Sequence, residues 1–529
     1  MSVTTSPASS ALTHLSASEM ARQIAAGQLT SVELVEAHIE RIAAVDPKLN
    51  AVVVPLFDQA RREAKAADEA RRTGQPLGPL HGVPITIKEC FHVAGTAATE
   101  GISRFAGEVM TQDSPLVARL RRAGAIVLGK TNVPQLMLMH ETDNPIFGRT
   151  NNPWDLARAP GGSSGGEAAI IAAGGSPLGL GNDIGGSIRC PAHCCGICGI
   201  KPTTLRLTNA GTRDNLRGME ALRPQPGPLA RHVEDLHLAL KVLATLDDGE
   251  IDPQIAPAPL GDPAEVGVAT LRVGYWTDDG VFPASPALRR AVHEAADALR
   301  SAGAQVEEFQ PADFGESLRL YLSLMSADGG ADAARLLGSS PRDWRVNRLI
   351  RLASLPGGVR KLLAKFARWS GQTCTAQVLS CIGRRSTDEY WQLSLARAEF
   401  AECFFTAWSA AKYDVLLCPP HALPALRHGS TANLTLAGSY AYWANLLGVP
   451  AGVVPVTRVL AHEQADRQVS RDVVLRDARE VDAASFGLPV GVQVAARPWR
   501  EDVVLAVMSA LEAQFRPTND YPHTPIGTH

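Results

Sequence analysis

Several features are missing from this chain, and each absence removes a class of function. It has no run of about 18 apolar residues, so no membrane-spanning helix is expected. The opening MSVTTSPASSALTHL has neither a basic start nor an apolar centre, so it does not read as a secretory signal. The net charge is only −3, so no overall field draws the chain to nucleic acid. Neither GGSSGG nor DIGGS ends in the GK[ST] that closes a phosphate-cradling loop, which argues against that role for them. His140 and Glu141 do not extend into H-E-x-x-H, so no zinc protease is indicated. Internal repeats and low-complexity linkers are also lacking.

What is present is ordinary for a globular chain: 529 residues, 45% hydrophobic and 20% charged. Length alone would suggest about three domains. Nine cysteines, an odd number without an export signal, fit free thiols in a reducing compartment and hence cytoplasmic residence. The 46 glycines and 36 prolines imply many turns.

Residues 1–15 read as a disordered tail. Ser16-x-x-Glu19 and Thr30-x-x-Glu33 are capping boxes, predicting helices near 17–26 and 31–46. Further helices are expected at 56–73, 114–123, 233–246 and 286–302. Strands are expected at 82–88, 125–129, 271–276, 304–308, 414–418, 451–456 and 488–495. The span 315–411 looks mainly helical, and 461–482 reads as a solvated excursion. This alternation predicts an α/β fold from residue 16 to 529: a single large domain with a mixed, mostly parallel β-sheet covered by helices on both sides.

The chemistry concentrates between Ala159 and Thr204, where Ser163 and Ser187 each sit inside a run of glycines. Glycine lets backbone N–H groups approach a ligand closely. A serine hydroxyl beside such donors suits acyl transfer, which needs a nucleophile and amides aimed at the oxyanion it creates. His193 is the one histidine within this stretch, so the base is sought elsewhere. Lys88, Lys130 and Lys201 are candidates that chemistry alone does not rank. Ser164 fits G-x-S-x-G, but no strongly apolar strand leads directly into it. Cys190, Cys194, Cys195 and Cys198 crowd nine residues, a spacing that fits one metal tetrahedron poorly, so no metal or other cofactor is expected. Asp183 and Arg189 flank Ser187 with opposite charges and read as loop-holding groups.

Lys88 in GVPITIKE, the GGSSGG block and DIGGSIR resemble the amidase signature family. TNVPQLM, NPIFGRTNNPW, CGICGIKPT, LGVPAGVVPVT and GLPVGVQVAARPW extend the likeness from about residue 16 to 515, most similar to the fatty acid amide hydrolase group. The resemblance implies a Ser–Ser–Lys triad: Ser187 as nucleophile, Ser163 on a cis peptide as bridge, and Lys88 as base, its amine kept neutral by burial. It implies an oxyanion cradle from the N–H groups of Ile184, Gly185, Gly186 and Ser187, and places Met137 in the substrate pocket. The implied reaction is hydrolysis of linear, lipophilic amides through an acyl-enzyme. Two rivals are a glutamine-hydrolysing component of a tRNA amidotransferase and a non-catalytic lipid-binding relative.

Residues 342–369 carry eight Arg or Lys and one acid, Asp343. Val359, Leu362, Leu363, Phe366 and Trp369 recur at helical spacing, the pattern of a helix lying in a membrane interface. The expected partners are therefore a small amide and a peripheral membrane surface, with no nucleic acid. A homodimer is a further expectation.

Overall fold

The computed structural model describes residues 11–523 and 525, apart from 214, 215, 217, 246–251, 310–312 and 466. Residues 1–10 of the expected tail, and 246 of the expected helix 233–246, lie outside the described residues.

Eleven strands form one sheet. In spatial order they are β1 (Val52–Pro55), β3 (Ile126–Thr131), β2 (Pro84–Lys88), β6 (Leu178–Asp183), β8 (Gln225–Ala230), β7 (Cys198–Lys201), β12 (Ala451–Arg458), β13 (Pro489–Ala496), β11 (Val415–Cys418), β9 (Arg272–Tyr275) and β10 (Gln305–Glu308). A separate ladder pairs β4 (Asp143–Asn144) with β5 (Gly148–Arg149). Helices flank the large sheet, giving an α/β domain. The expected dominance of parallel pairing is corrected: β2–β3, β2–β6, β9–β10 and β9–β11 are parallel, whereas β1–β3, β6–β8, β7–β8, β7–β12, β12–β13 and β11–β13 are antiparallel. Parallel neighbours need a crossover, usually helical. Helix Pro115–Arg122 supplies one between β2 and β3, and helix Pro286–Ser301 one between β9 and β10. The centre of the sheet runs antiparallel instead.

Local chemistry explains the element ends. The Glu19 N–H donates to Ser16 Oγ at 3.0 Å. Thr30 and Glu33 form a reciprocal capping box. Two further expectations are corrected. Residues 11–15 are tied down, because Arg231 donates to the carbonyls of Thr13 and Leu15. The excursion 461–482 contains helix Val473–Asp482, whose Val474, Ala478 and Val481 are buried at helical spacing. Helices Arg189–Cys195 and Glu501–Phe515 were not anticipated.

The fold brings β2 and β6 side by side and parallel, with Ile87 opposite Leu180. Their carboxyl ends therefore deliver Lys88, Asn182 and Asp183 to one place, the location where sheets of this class gather ligands.

Candidate active site

Every residue of β2 is buried, so the Lys88 amine must find partners inside the protein. Its Nζ donates to Ser163 Oγ at 2.7 Å and to Asn182 Oδ1 at 2.6 Å. The peptide Gly162–Ser163 is cis. Glycine is required before it, since a Cβ on Gly162 would collide with the Met139 carbonyl oxygen. The Ser164 N–H donates to the Ser187 carbonyl at 3.1 Å, stitching the two glycine loops together. Ser164 itself is fully buried, its hydroxyl directed to Asn182 O at 3.4 Å.

Ser187 lies between β6 and helix Arg189–Cys195. Its loop turns at Gly186, with φ +101° and no room for a side chain beside Ala441. Asp183 is the hub of this loop. Its carboxylate accepts the N–H groups of Gly186 at 2.8 Å and Ile188 at 3.1 Å, and the Arg189 guanidinium at 3.0 Å from both Nε and Nη2. Burial alone would raise the Asp183 carboxyl, but the Arg189 charge and hydrogen bonds hold it well below the usual range. Arg189 is anchored in turn by Ala441 O at 3.0 Å and Gln493 Oε1 at 2.7 Å.

Of the four amides expected in the cradle, the Gly186 N–H donates to Asp183 Oδ1 at 2.8 Å. The amides of Ile184, Gly185 and Ser187 have no acceptor among the described residues. Two side chains hold carbonyls of this loop: Tyr321 donates to Ile184 O at 3.3 Å, in the peptide that carries the Gly185 N–H, and His140 Nε2 lies 2.8 Å from Gly185 O, in the peptide that carries the Gly186 N–H. Fixing a peptide's carbonyl on one side aims its N–H to the other.

The rival lysines bind elsewhere. Lys130 donates to Ala97 O. Lys201, pushed down to about 7 by burial, donates to Val449 O at 2.6 Å and Pro202 O at 3.0 Å. A shifted pKa thus marks Lys201 as buried, not as a partner of serine. The four clustered cysteines do not converge: Cys190 meets Cys194 at 4.0 Å, Cys195 points to Pro160 O, and Cys198 to Arg231 O. Below Lys88, Glu167 accepts from the Thr86 hydroxyl at 2.6 Å. Burial pushes its carboxyl up to about 8, against the pull of Thr86, Thr131 and Lys88.

Ser187 opens onto a cavity of about 180 Å3. Met137, Leu138, Ile184, Leu322, Met325, Leu349, Ile350 and Ala353 give it mostly apolar walls, with Tyr321, Tyr442 and His140 among the polar exceptions. Its far wall belongs to helix Trp344–Ser354, the first of the basic pair, and helix Gly357–Trp369 follows. In the second helix Arg360, Ala364 and Ala367 face the body, leaving Leu362, Phe366 and Trp369 at 68%, 61% and 82% exposure. No described helix is long and apolar enough to cross a membrane. Of the residues expected from sequence, Lys88 and Ser163 touch, and Ser187, Met137, Ile184 and Gly185 share the cavity. Asn182 and Tyr321 were missed. Asn182 left one signal, a polar residue closing the apolar LGLGND; Tyr321 left none.

The Amidase family model matches residues 33–505, and the chain belongs to that family. It is 36% identical over 504 residues to fatty-acid amide hydrolase 1 of Sus scrofa, covering 94% of this chain and 85% of that protein. It is 33% identical over 510 residues to the indoleacetamide hydrolase of Bradyrhizobium diazoefficiens, covering 94% of this chain and 86% of that protein. A shorter likeness, 38% over 328 residues, relates it to a glutamyl-tRNA(Gln) amidotransferase component of Roseiflexus sp. (strain RS-1), covering 62% of this chain and 66% of that one. A solved structure of fatty acid amide hydrolase superposes with a TM-score of 0.83 at 26% identity, covering 97% of this chain and 87% of that one.

Proposed function

We propose that this amidase hydrolyses fatty acid amides through a Lys88–Ser163–Ser187 relay. The observation that carries the reading is the 2.7 Å contact between Lys88 Nζ and Ser163 Oγ, buried where water cannot compete. With Lys88 in its amine form, Nζ takes the Ser163 proton as Ser163 Oγ takes that of Ser187. Ser187 Oγ then adds to the amide carbon, and the oxyanion meets the amides of Ile184, Gly185 and Ser187. The relay returns the proton to the leaving nitrogen, the C–N bond breaks, and water repeats the sequence on the ester.

The apolar cavity walls, Met137 among them, favour a lipophilic acyl chain, and the exposed apolar face of helix Gly357–Trp369 suits a peripheral membrane contact beside that cavity. The free thiols fit a cytoplasmic setting. A second reading, glutamine hydrolysis, is favoured by the amidotransferase likeness, but an apolar pocket offers a zwitterion little. The test is turnover of oleamide against glutamine by the purified chain, together with fluorophosphonate labelling. Oleamide turnover with label on Ser187 is expected. Ammonia from glutamine alone would replace the substrate reading, and no label at all would remove the enzyme reading. Lys88→Ala should both slow turnover and change the shape of the pH–rate profile; an unchanged profile would acquit Lys88 as the base.

A further inference from the structure

Next to the Ser187 loop lies a side-chain group the relay does not use. His140, Cys190 and His421 each offer one ligand atom, and the three atoms lie within 4.8 Å of one another. They come from separate segments: the turn after β3, helix Arg189–Cys195, and the loop after β11. Cys190 and His421 are fully buried. His140 is half-buried and forms part of the cavity wall, so the group has a way in from solvent.

The His421 ring carries the second observation. Its Nδ1 lies 3.1 Å from Leu423 O and accepts the Leu423 N–H at 3.1 Å, whereas its buried Nε2 has no partner. A buried polar atom left without a partner has lost its water and gained nothing in return. Metal binding selects the tautomer with the ring proton on Nδ1, shared with the Leu423 carbonyl in place of the accepted N–H, which leaves Nε2 free to ligate, the arrangement that commonly supports a metal-bound imidazole.

We propose that His140, Cys190 and His421 form a zinc site. One thiolate and two imidazoles suit this borderline-soft cation, and the cavity can supply water as a fourth ligand. Ligand atoms around zinc sit roughly 3.5 Å apart, so the three side chains draw in by about 1 Å. Binding displaces the Cys190 thiol proton to solvent. Because His140 also contacts Gly185 O, drawing it inward disturbs the amides beside Ser187. That consequence, slower acylation, rests on the function proposed above; the binding itself does not.

Co2+ is the probe, titrated into tag-free full-length protein carrying Cys403→Ser to silence the exposed thiol. The expected result is one Co2+ per chain with a thiolate-to-cobalt charge-transfer band. Equimolar Zn2+ should abolish that band. Cys190→Ser should remove it, and His140→Gln, on the accessible side, should weaken binding at least tenfold. Circular dichroism and a cooperative thermal transition report whether each variant is folded, and a variant that does not fold is replaced by the other. No band in the parent, or the same band in Cys190→Ser, overturns the site. Binding with an unchanged labelling rate overturns the coupling to Ser187.

Discussion

The loop 183–189 and helix Trp344–Ser354, which helix Gly357–Trp369 follows, supply walls of one cavity, yet the loop and the helix pair are built in opposite ways. In the loop, almost every polar group is committed: Asp183 binds three backbone amides and a guanidinium, and Arg189 reaches three further acceptors. Both charges are fully buried. In the second helix, by contrast, the small Ala364 and Ala367 face the protein and the large apolar side chains face outward. The contrast separates two tasks. Holding donors where charge develops needs a loop with one conformation, whereas admitting a flexible lipophilic molecule needs a surface whose best contacts lie outside the chain.

The largest effects should come from breaking the loop. Ser187→Ala should lower turnover by ~10^4-fold or more and end fluorophosphonate labelling. Ser164→Ala, which removes a hydroxyl aimed at a carbonyl, should stay within about tenfold of the parent. Equal losses in the two would place the nucleophile wrongly. Asp183→Asn leaves the Arg189 charge buried without its counter-ion, at a cost of about 3–5 kcal/mol. Urea denaturation followed by fluorescence checks this; a loss under about 1 kcal/mol would mean the loop does not depend on the pair.

The same contrast governs what could be read from the sequence. Ser163, Ser187 and Lys88 could be proposed from sequence because local motifs at family spacing carry them. Asn182 and Tyr321 were not, because their roles exist only once β6 meets β2 and a distant helix meets the Ser187 loop. Helix Arg189–Cys195 was hidden by Pro191 and three cysteines, residues that carry little helix signal. Helix Glu501–Phe515 was hidden by VVLAVM, apolar all round because it is buried all round. The antiparallel centre of the sheet was illegible for another reason: alternation of side chains reports a strand and its faces, not its direction.

Glu167 tests how far the rigid region extends beneath Lys88. Its carboxyl titrates near 4.5 when unfolded and near 8 in the native state. The native protein therefore holds the proton more tightly. That contribution to stability is complete below pH 4.5 and is lost as pH rises through 8. The loss between about pH 5 and 8 is about 3 kcal/mol. Glu167→Gln, which keeps the shape and cannot ionise, should flatten this slope in denaturant titrations at several pH values. Parallel pH dependence in the two proteins would show that Glu167 is not protonated in the native state.

The smallest effect on the folded chain belongs to the second helix of the pair. Phe366 and Trp369 stand largely in solvent with ring centroids 5.7 Å apart. Replacing both with Glu should change stability by no more than about 0.5 kcal/mol. Their energy lies in what they touch elsewhere: burying two aromatic side chains at a lipid interface is worth roughly 1.5–3 kcal/mol each. The double variant should therefore bind anionic liposomes at least tenfold more weakly while hydrolysing a dispersed short amide at the parental rate. Co-sedimentation separates the outcomes. Equal recovery of both proteins in the supernatant would mean that this face is merely solvated, and the division of labour between the loop and the helix pair would lose its outer half.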